Sequence, residues 1–374
     1  MPTGGAAHAG GMPVGNAGHG GSTPSPSGGF AGGATAGSTA NSGGGVGAGG
    51  HGGTDVSAGG DGGDSGDSAC TSDDVCPSGY PRQELGSGVT CRGQFADWKP
   101  SDSPTTFVDN LDGTVADTRS GLLWQQTVEA GSYTWAEANE YCAELPLAGT
   151  SWRVPTEAEL QSIVDFGRHS PAIDPVAFPG TPDGTAPEGT SQSWFWSSSR
   201  GSNSGSLWIV TFDRGLSFED TATSHRHVRC VHSSAPVTVE HGCGGAPLGR
   251  YTIDENAGTV YDTRTQLTWQ RAVTDNEYDL ADAASYCSEL ALAGGGWRLP
   301  QVSELLTIVD PTQHDPAIDP LAFPSTPLAN FWSSSAFGSP PGYGFILYSG
   351  PGYFTSAVEV KGSVVYHVHA RCVR

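Results

Sequence analysis

Ala138, Tyr141, Cys142 and Leu145 fall at helical spacing with polar residues between them, which predicts a helix with one buried stripe. Thr134 and Glu137 stand just before it as a capping box, each able to satisfy a free backbone N–H of the first turn. The pattern returns 145 residues later as Ala283, Tyr286, Cys287 and Leu290, opened by Asp279 and Asp282. A second, shorter helix is predicted behind each stripe. In the first copy Thr156 and Glu159 form its capping box, Pro155 limits its backward extension, and Leu160, Ile163 and Val164 give its apolar face. Prolines 171 and 175, and again 316 and 320, end these helices.

The remaining pattern is strand and turn. Phe107 to Val115 reads as strand, Asp/Gly turn, strand, and Tyr251 to Val260 repeats it. Strands follow around Leu122–Trp124 and Leu267–Trp269. Further strands are expected after Trp196-Ser197-Ser198-Ser199 and Trp332-Ser333-Ser334-Ser335, from Leu207 to Phe212 and from Phe345 to Tyr348. Last strands are expected to end at Arg229-Cys230-Val231 and Arg371-Cys372-Val373. Two early helices and several short strands in each copy predict an α+β class with antiparallel sheet. The axis of the duplication is Trp-Arg-x-Pro-x-x-x-Glu-Leu. It occurs as Trp152, Arg153, Pro155, Glu159, Leu160 and as Trp297, Arg298, Pro300, Glu304, Leu305. Each member has an architectural use, with Trp in the core, Arg on a carboxylate or carbonyls, and Glu on the helix start.

Composition divides the 374 residues further. Residues 1–68 hold 26 glycines and no Lys or Arg, too little apolar surface to offset ordering entropy, and are expected to form a disordered Gly/Ser-rich tether. The glycines keep no three-residue period, which excludes a collagen helix. Residues 69–104 form a cysteine-bearing linker segment, 105–232 the first copy, 233–246 a linker and 247–374 the second copy. The eight cysteines point to an oxidising compartment. Cys142 with Cys230, and Cys287 with Cys372, join first helix to last strand in each copy. Cys70, Cys76, Cys91 and Cys243 leave three connectivities open. No transmembrane run is present. An export signal is expected upstream of Met1, and the location extracellular or at the outer cell surface.

Net charge is −22, with 16 acidic and 7 basic side chains in residues 105–232 and 13 and 7 in 247–374. Nucleic acid and other polyanions are thereby excluded as partners. Metal chemistry has two openings. Asp109 to Gly113 offers carboxylates to calcium, but the spacing is not that of an EF-hand, and the stretch reads as a turn. His225 with His227, and His367 with His369, place two imidazoles on one strand face, half of a zinc site; with no third ligand in reach they read as an exposed polar strand face. His169 and His314 are equivalent and follow the second helix. No general base can be assigned beside Ser197–Ser199 or Ser333–Ser335, so catalysis is not expected.

The order Gly-Thr-Val-x-Asp-Thr-Arg, Trp-Arg-x-Pro-x-x-x-Glu-Leu, Trp-Ser-Ser-Ser, Arg-Cys-Val resembles the DUF1566 domain, also called the Lcl C-terminal domain after the collagen-like adhesin of Legionella. Both copies carry it. The resemblance implies a bacterial, exported protein with two tandem domains similar to C-type-lectin-like and sulfatase-modifying-factor folds. It implies adhesion to a cell-surface or extracellular glycan or protein, both copies adding avidity. The founding adhesin binds sulfated glycosaminoglycans. The acidity of both copies and the missing collagen repeat set this chain apart from that ligand. The other readings are a structural envelope module without soluble ligand and a sulfatase-modifying-type enzyme, which would need a free reactive thiol.

Overall fold

The computed structural model describes residues 95–185, 193–201, 205–233, 246, 249–310, 316–336 and 368–374 in full. It adds the backbone of four strands, Gln83–Leu85, Gly88–Thr90, Tyr343–Tyr348 and Thr355–Glu359. The tether 1–68, Cys70, Cys76, Cys91, Cys243, His314 and His367 lie outside the described residues.

Each copy is α+β. β1 (Gln83–Leu85) and β2 (Gly88–Thr90) form a hairpin ahead of the first copy. The first copy opens with β3 (Phe107–Asp109), β4 (Thr114–Asp117) and β5 (Leu122–Gln125), then α1 (Trp135–Glu144) and α2 (Glu157–Ser162). A second sheet follows, β6 (Trp194–Arg200), β7 (Ser206–Thr211) and β8 (Ser217–Thr221). β9 (Val231–Ser233) then returns to pair with β5, so the first sheet has the order β3-β4-β5-β9, antiparallel throughout. The second copy repeats this with β10 (Tyr251–Asp254), β11 (Thr259–Asp262), β12 (Leu267–Gln270), α3 (Leu280–Glu289), α4 (Val302–Leu306), β13 (Asn330–Ala336), β14 (Tyr343–Tyr348) and β15 (Thr355–Glu359). Val373 bridges to Trp269 where β9 pairs with β5.

The caps form as their chemistry requires. Thr134 and Glu137 cap α1 reciprocally, and Thr156 and Glu159 do so for α2. Asp279 accepts the Asp282 N–H at the start of α3. Gly113 and Gly258 close the first hairpin of each copy at φ +88° and +68°, a backbone that a side chain strains. A side chain there also presses on Leu147 or Leu292.

A disulfide and an arginine in each copy bind the layers together. The disulfide Cys142–Cys230 joins α1 to the residue before β9 across 88 positions of sequence, and Cys287–Cys372 spans 85. Beside them sits a buried arginine with no carboxylate partner among the described residues. Arg229 donates from Nη1 to the carbonyls of Gln125 (2.7 Å) and Gln126 (2.6 Å), and from Nη2 to Thr181 Oγ1 (2.6 Å). Its guanidinium lies over the Phe178 ring at 4.7 Å. Arg371 repeats the pattern on Gln270, Arg271, Thr326 and Phe323. Burial pushes both guanidinium pKa values down to about 9, so both stay charged at neutral pH.

The stretch 95–104, expected to be a linker, is instead a clasp between the copies. On the first copy, Lys99 O accepts from Arg119 Nη1, Asp102 O from the Phe166 N–H, and Ser103 Oγ donates to Asp165. On the second, Ala96 O accepts from Arg250 Nη1, and the Asp102 carboxylate accepts the Ser303 N–H and the Ser335 hydroxyl. Half of this binding is done by backbone carbonyls, which every residue owns, and the rest by the Asp102 and Ser103 side chains. Trp208 of β7 joins the second copy's core, and Val302 of α4 joins the first.

Removing one disulfide as C287S/C372S is expected to cost about 4–5 kcal/mol in urea unfolding, the value for a loop of this length; a loss well under 1 kcal/mol refutes that role. Replacing Arg229 by Lys, which lacks the planar fork, is expected to cost about 2–3 kcal/mol by the same measurement, and unchanged stability refutes the planar recognition.

Candidate functional site

The repeated motifs converge on one seam in each copy. Arg153 grips Glu159 through both nitrogens, Nη1 to Oε2 at 2.7 Å and Nη2 to Oε1 at 2.6 Å. The same carboxylate accepts the Thr156 N–H, so one glutamate caps α2 and holds the arginine. Arg298 and Glu304 repeat these distances, with the Gln301 N–H at the cap. Trp152 and Trp297 are buried and donate from the indole to Leu147 O and Leu292 O. Pro155 O and Pro300 O accept the N–H of Ser198 and Ser334. The Arg153 backbone pairs with Val231, and Arg298 with Val373.

The three serines form a bulge: β6 pairs with β7 at Trp196–Ile209 and next at Arg200–Leu207. Ser197 Oγ donates to Trp208 O and Ser199 Oγ accepts the Glu157 N–H. Ser199 Oγ and the Ser198 N–H dock β6 on the start of α2 while the Ser197 hydroxyl ties β6 to β7, a use that strand periodicity does not announce.

The histidines depart from expectation. His225 is exposed and lies outside any strand, whereas His227 is buried against the Phe195 ring at 5.4 Å. His369 is likewise buried, with Phe331 at 5.9 Å. The expected polar strand face is therefore corrected: the strand begins only at Val231, and a parallel bridge of His227 to Phe195 turns that imidazole inward. His169 is exposed. Among the described residues no group of three or more His, Cys, Asp or Glu side chains is placed to hold a metal ion. In the acidic turn, Asp109 accepts the Leu111 N–H, and Asp112 accepts the N–H and hydroxyl of Thr114, as a turn requires.

One surface of the first copy is aromatic and charged together. Tyr133 and Arg226 pair through their backbones and so share a face. The Arg226 guanidinium stacks on Trp194 at 4.4 Å and is fixed by Asp220 at 2.7 Å. Tyr141 stacks on Tyr133 at 5.1 Å. Tyr133, Tyr141, Trp194 and Arg226 are all half-buried. Sequence reasoning missed this face because its members come from three separate segments.

The Lcl C-terminal domain family model matches residues 113–232 and again 258–374, more than half of the chain. The chain belongs to the Lcl C-terminal domain family. No curated protein matches it.

Comparison of the two Lcl copies separates scaffold from specialisation. The tyrosine stack recurs as Tyr278 and Tyr286 at 4.9 Å, and is scaffold. The Trp194 and Arg226 positions hold Asn330 and Val368 in the second copy, so that face belongs to the first alone. On α2, Glu157 and Gln161 stand where α4 has Val302 and Leu306. Glu157 accepts a hydrogen bond from Ser217 Oγ at 2.6 Å, and that hydroxyl accepts one from Gln161 Nε2 at 2.6 Å. Burial pushes the Glu157 carboxyl up from 4.5 to about 7, against the lowering effect of the Ser217 and Gln161 hydrogen bonds.

Between those two values the folded chain keeps a proton that the unfolded chain has released, so this group's contribution is fully present below about 4.5 and declines as pH rises towards about 7. Urea unfolding is expected to show wild type losing about 3 kcal/mol across that window through this residue, a loss absent from Glu157→Gln. Parallel pH profiles for the two proteins refute the assignment.

Proposed function

We propose that this is an exported bacterial cell-surface protein whose Lcl domains, of C-type-lectin-like build, attach it without catalysis to a glycan or protein ligand. Export is supported by two disulfides inside the described domains. No helix among the described residues is long and apolar enough to cross a membrane. The non-catalytic reading is supported by the bonding of Cys142, Cys230, Cys287 and Cys372, which leaves none of them as a thiol nucleophile. Ser197 and Ser199 spend their hydroxyls on Trp208 O and the Glu157 N–H.

The Trp194–Arg226–Tyr133 face carries this reading. An indole and a phenol supply flat apolar area at small entropic cost, and Arg226, held by Asp220, supplies directed donors. The surrounding chain is strongly acidic, so the matching ligand is neutral or carries few anionic groups.

Attachment of the full chain is read on a glycan array and on immobilised cell-surface protein, each with and without chelator. Trp194→Ala and Arg226→Ala are each expected to weaken the wild-type signal about tenfold or more, as loss of an interface anchor does. Attachment that persists in both variants rejects this face. A folded wild type that binds neither surface moves the assignment to a structural envelope module.

A further inference from the structure

The boundary between the two Lcl copies holds a cleft separate from the Trp194 face. It is lined by Trp98, Pro100, Arg119, Glu157, Gln161 and Leu306, so α2, α4 and the clasp 95–104 all contribute. It measures about 360 Å³ including space open to solvent, and within it there is room for about two water molecules. Ligand sites favour such boundaries.

Three buried polar atoms on residues lining this cleft make no hydrogen bond: Gln161 Oε1, Arg119 Nε and Ser303 Oγ. Gln161 is 6% exposed, and its Nε2 is engaged by Ser217 and by Gly215 O, yet its Oε1 accepts nothing. Arg119 donates from its terminal nitrogens to Lys99 O and Ser162 O, yet its Nε–H is unpaired. A buried polar atom left unpaired costs about 1–3 kcal/mol, which a matching ligand group recovers. Gln161 Oε1 is an acceptor and Arg119 Nε–H a donor, and the Ser303 hydroxyl and Glu157 carboxyl beside them can act as either.

We infer that the inter-copy cleft binds a neutral polyhydroxylated group, the hydroxyl edge of a sugar ring or of a linear polyol. A hydroxyl donates to Gln161 Oε1 and accepts from Arg119 Nε–H with the same atom type, which neither a carboxylate nor an ammonium can do. A carboxylate ligand meets Glu157 and the nearby Asp102, and an ammonium meets Arg119. Trp98, Pro100 and Leu306 give apolar wall for the carbon face of the ligand.

The test uses the full chain with glycerol, methyl glucoside and methyl N-acetylglucosaminide as probes, and acetate and ethylammonium as charged controls. Saturation-transfer NMR and tryptophan fluorescence read the binding. At least one neutral probe is expected to bind saturably at millimolar concentration, and the control ions more weakly. Preference for the glycosides over glycerol assigns a sugar, and the reverse a linear polyol. Gln161→Leu removes the open acceptor and Ala158→Phe fills the cleft; each is expected to weaken binding about tenfold. Absence of saturable binding by every neutral probe, preference for a charged control, or equal affinity in wild type and both variants overturns the inference. The probes are read at the cleft, so failure of the Trp194 face leaves this result standing, and the converse holds too.

Discussion

A charged group far from water, held by carbonyl oxygens, a threonine hydroxyl and aromatic faces, is the constraint on which each Lcl domain depends. Among the described residues Arg229 and Arg371 have no carboxylate to neutralise them. Their charge is tolerated only while several dipoles converge on it from different segments. For Arg229 those segments are the end of β5, the loop at Thr181 and the Phe178 ring. The segment that brings the arginine also brings the disulfide half-cystine one residue later, and β9 follows at once. Displacing any contributor strands a buried charge, so first sheet, loop and closing strand must form together.

The second organising device is the Arg153–Glu159 clamp. A single carboxylate caps α2 and fixes the arginine that carries the backbone into its bridge with Val231. The serine bulge of β6 then docks on the same helix start. Both copies preserve these contacts, whereas Glu157, Gln161, Trp194 and Arg226 have apolar or smaller residues opposite them in the second copy. Duplication thus kept the framework and released the surface to diverge.

Much of this fold was legible in the chain. Helical periodicity gave both long helices, and the capping boxes gave their first turns, because these signals are local and depend on two or three neighbouring residues. The tandem arrangement was legible because long exact spacing has no other origin. The histidine pairs were misread because alternation on a strand presupposes a strand, and at residues 225–230 the chain is tied by single bridges instead. The clasp at 95–104 was invisible because half of its contacts run through backbone carbonyls and the rest through one Asp and one Ser whose partners lie far away in sequence. The Trp194 face and the inter-copy cleft each assemble residues distant in sequence, and only the packing of the layers brings them together.

The disulfides also dictate how a load would travel through the molecule. Tension drawn along the chain enters the first domain through β3, β4 and β5 and reaches Cys142 on α1. There the covalent bridge carries it straight to Cys230, and the 88 positions between are bypassed. Within that shielded loop lie α2, the sheet of β6–β8 and the face of Trp194 and Arg226. A pull strong enough to peel away the first sheet would therefore leave this part covalently closed, protecting the proposed grip from the force applied to it.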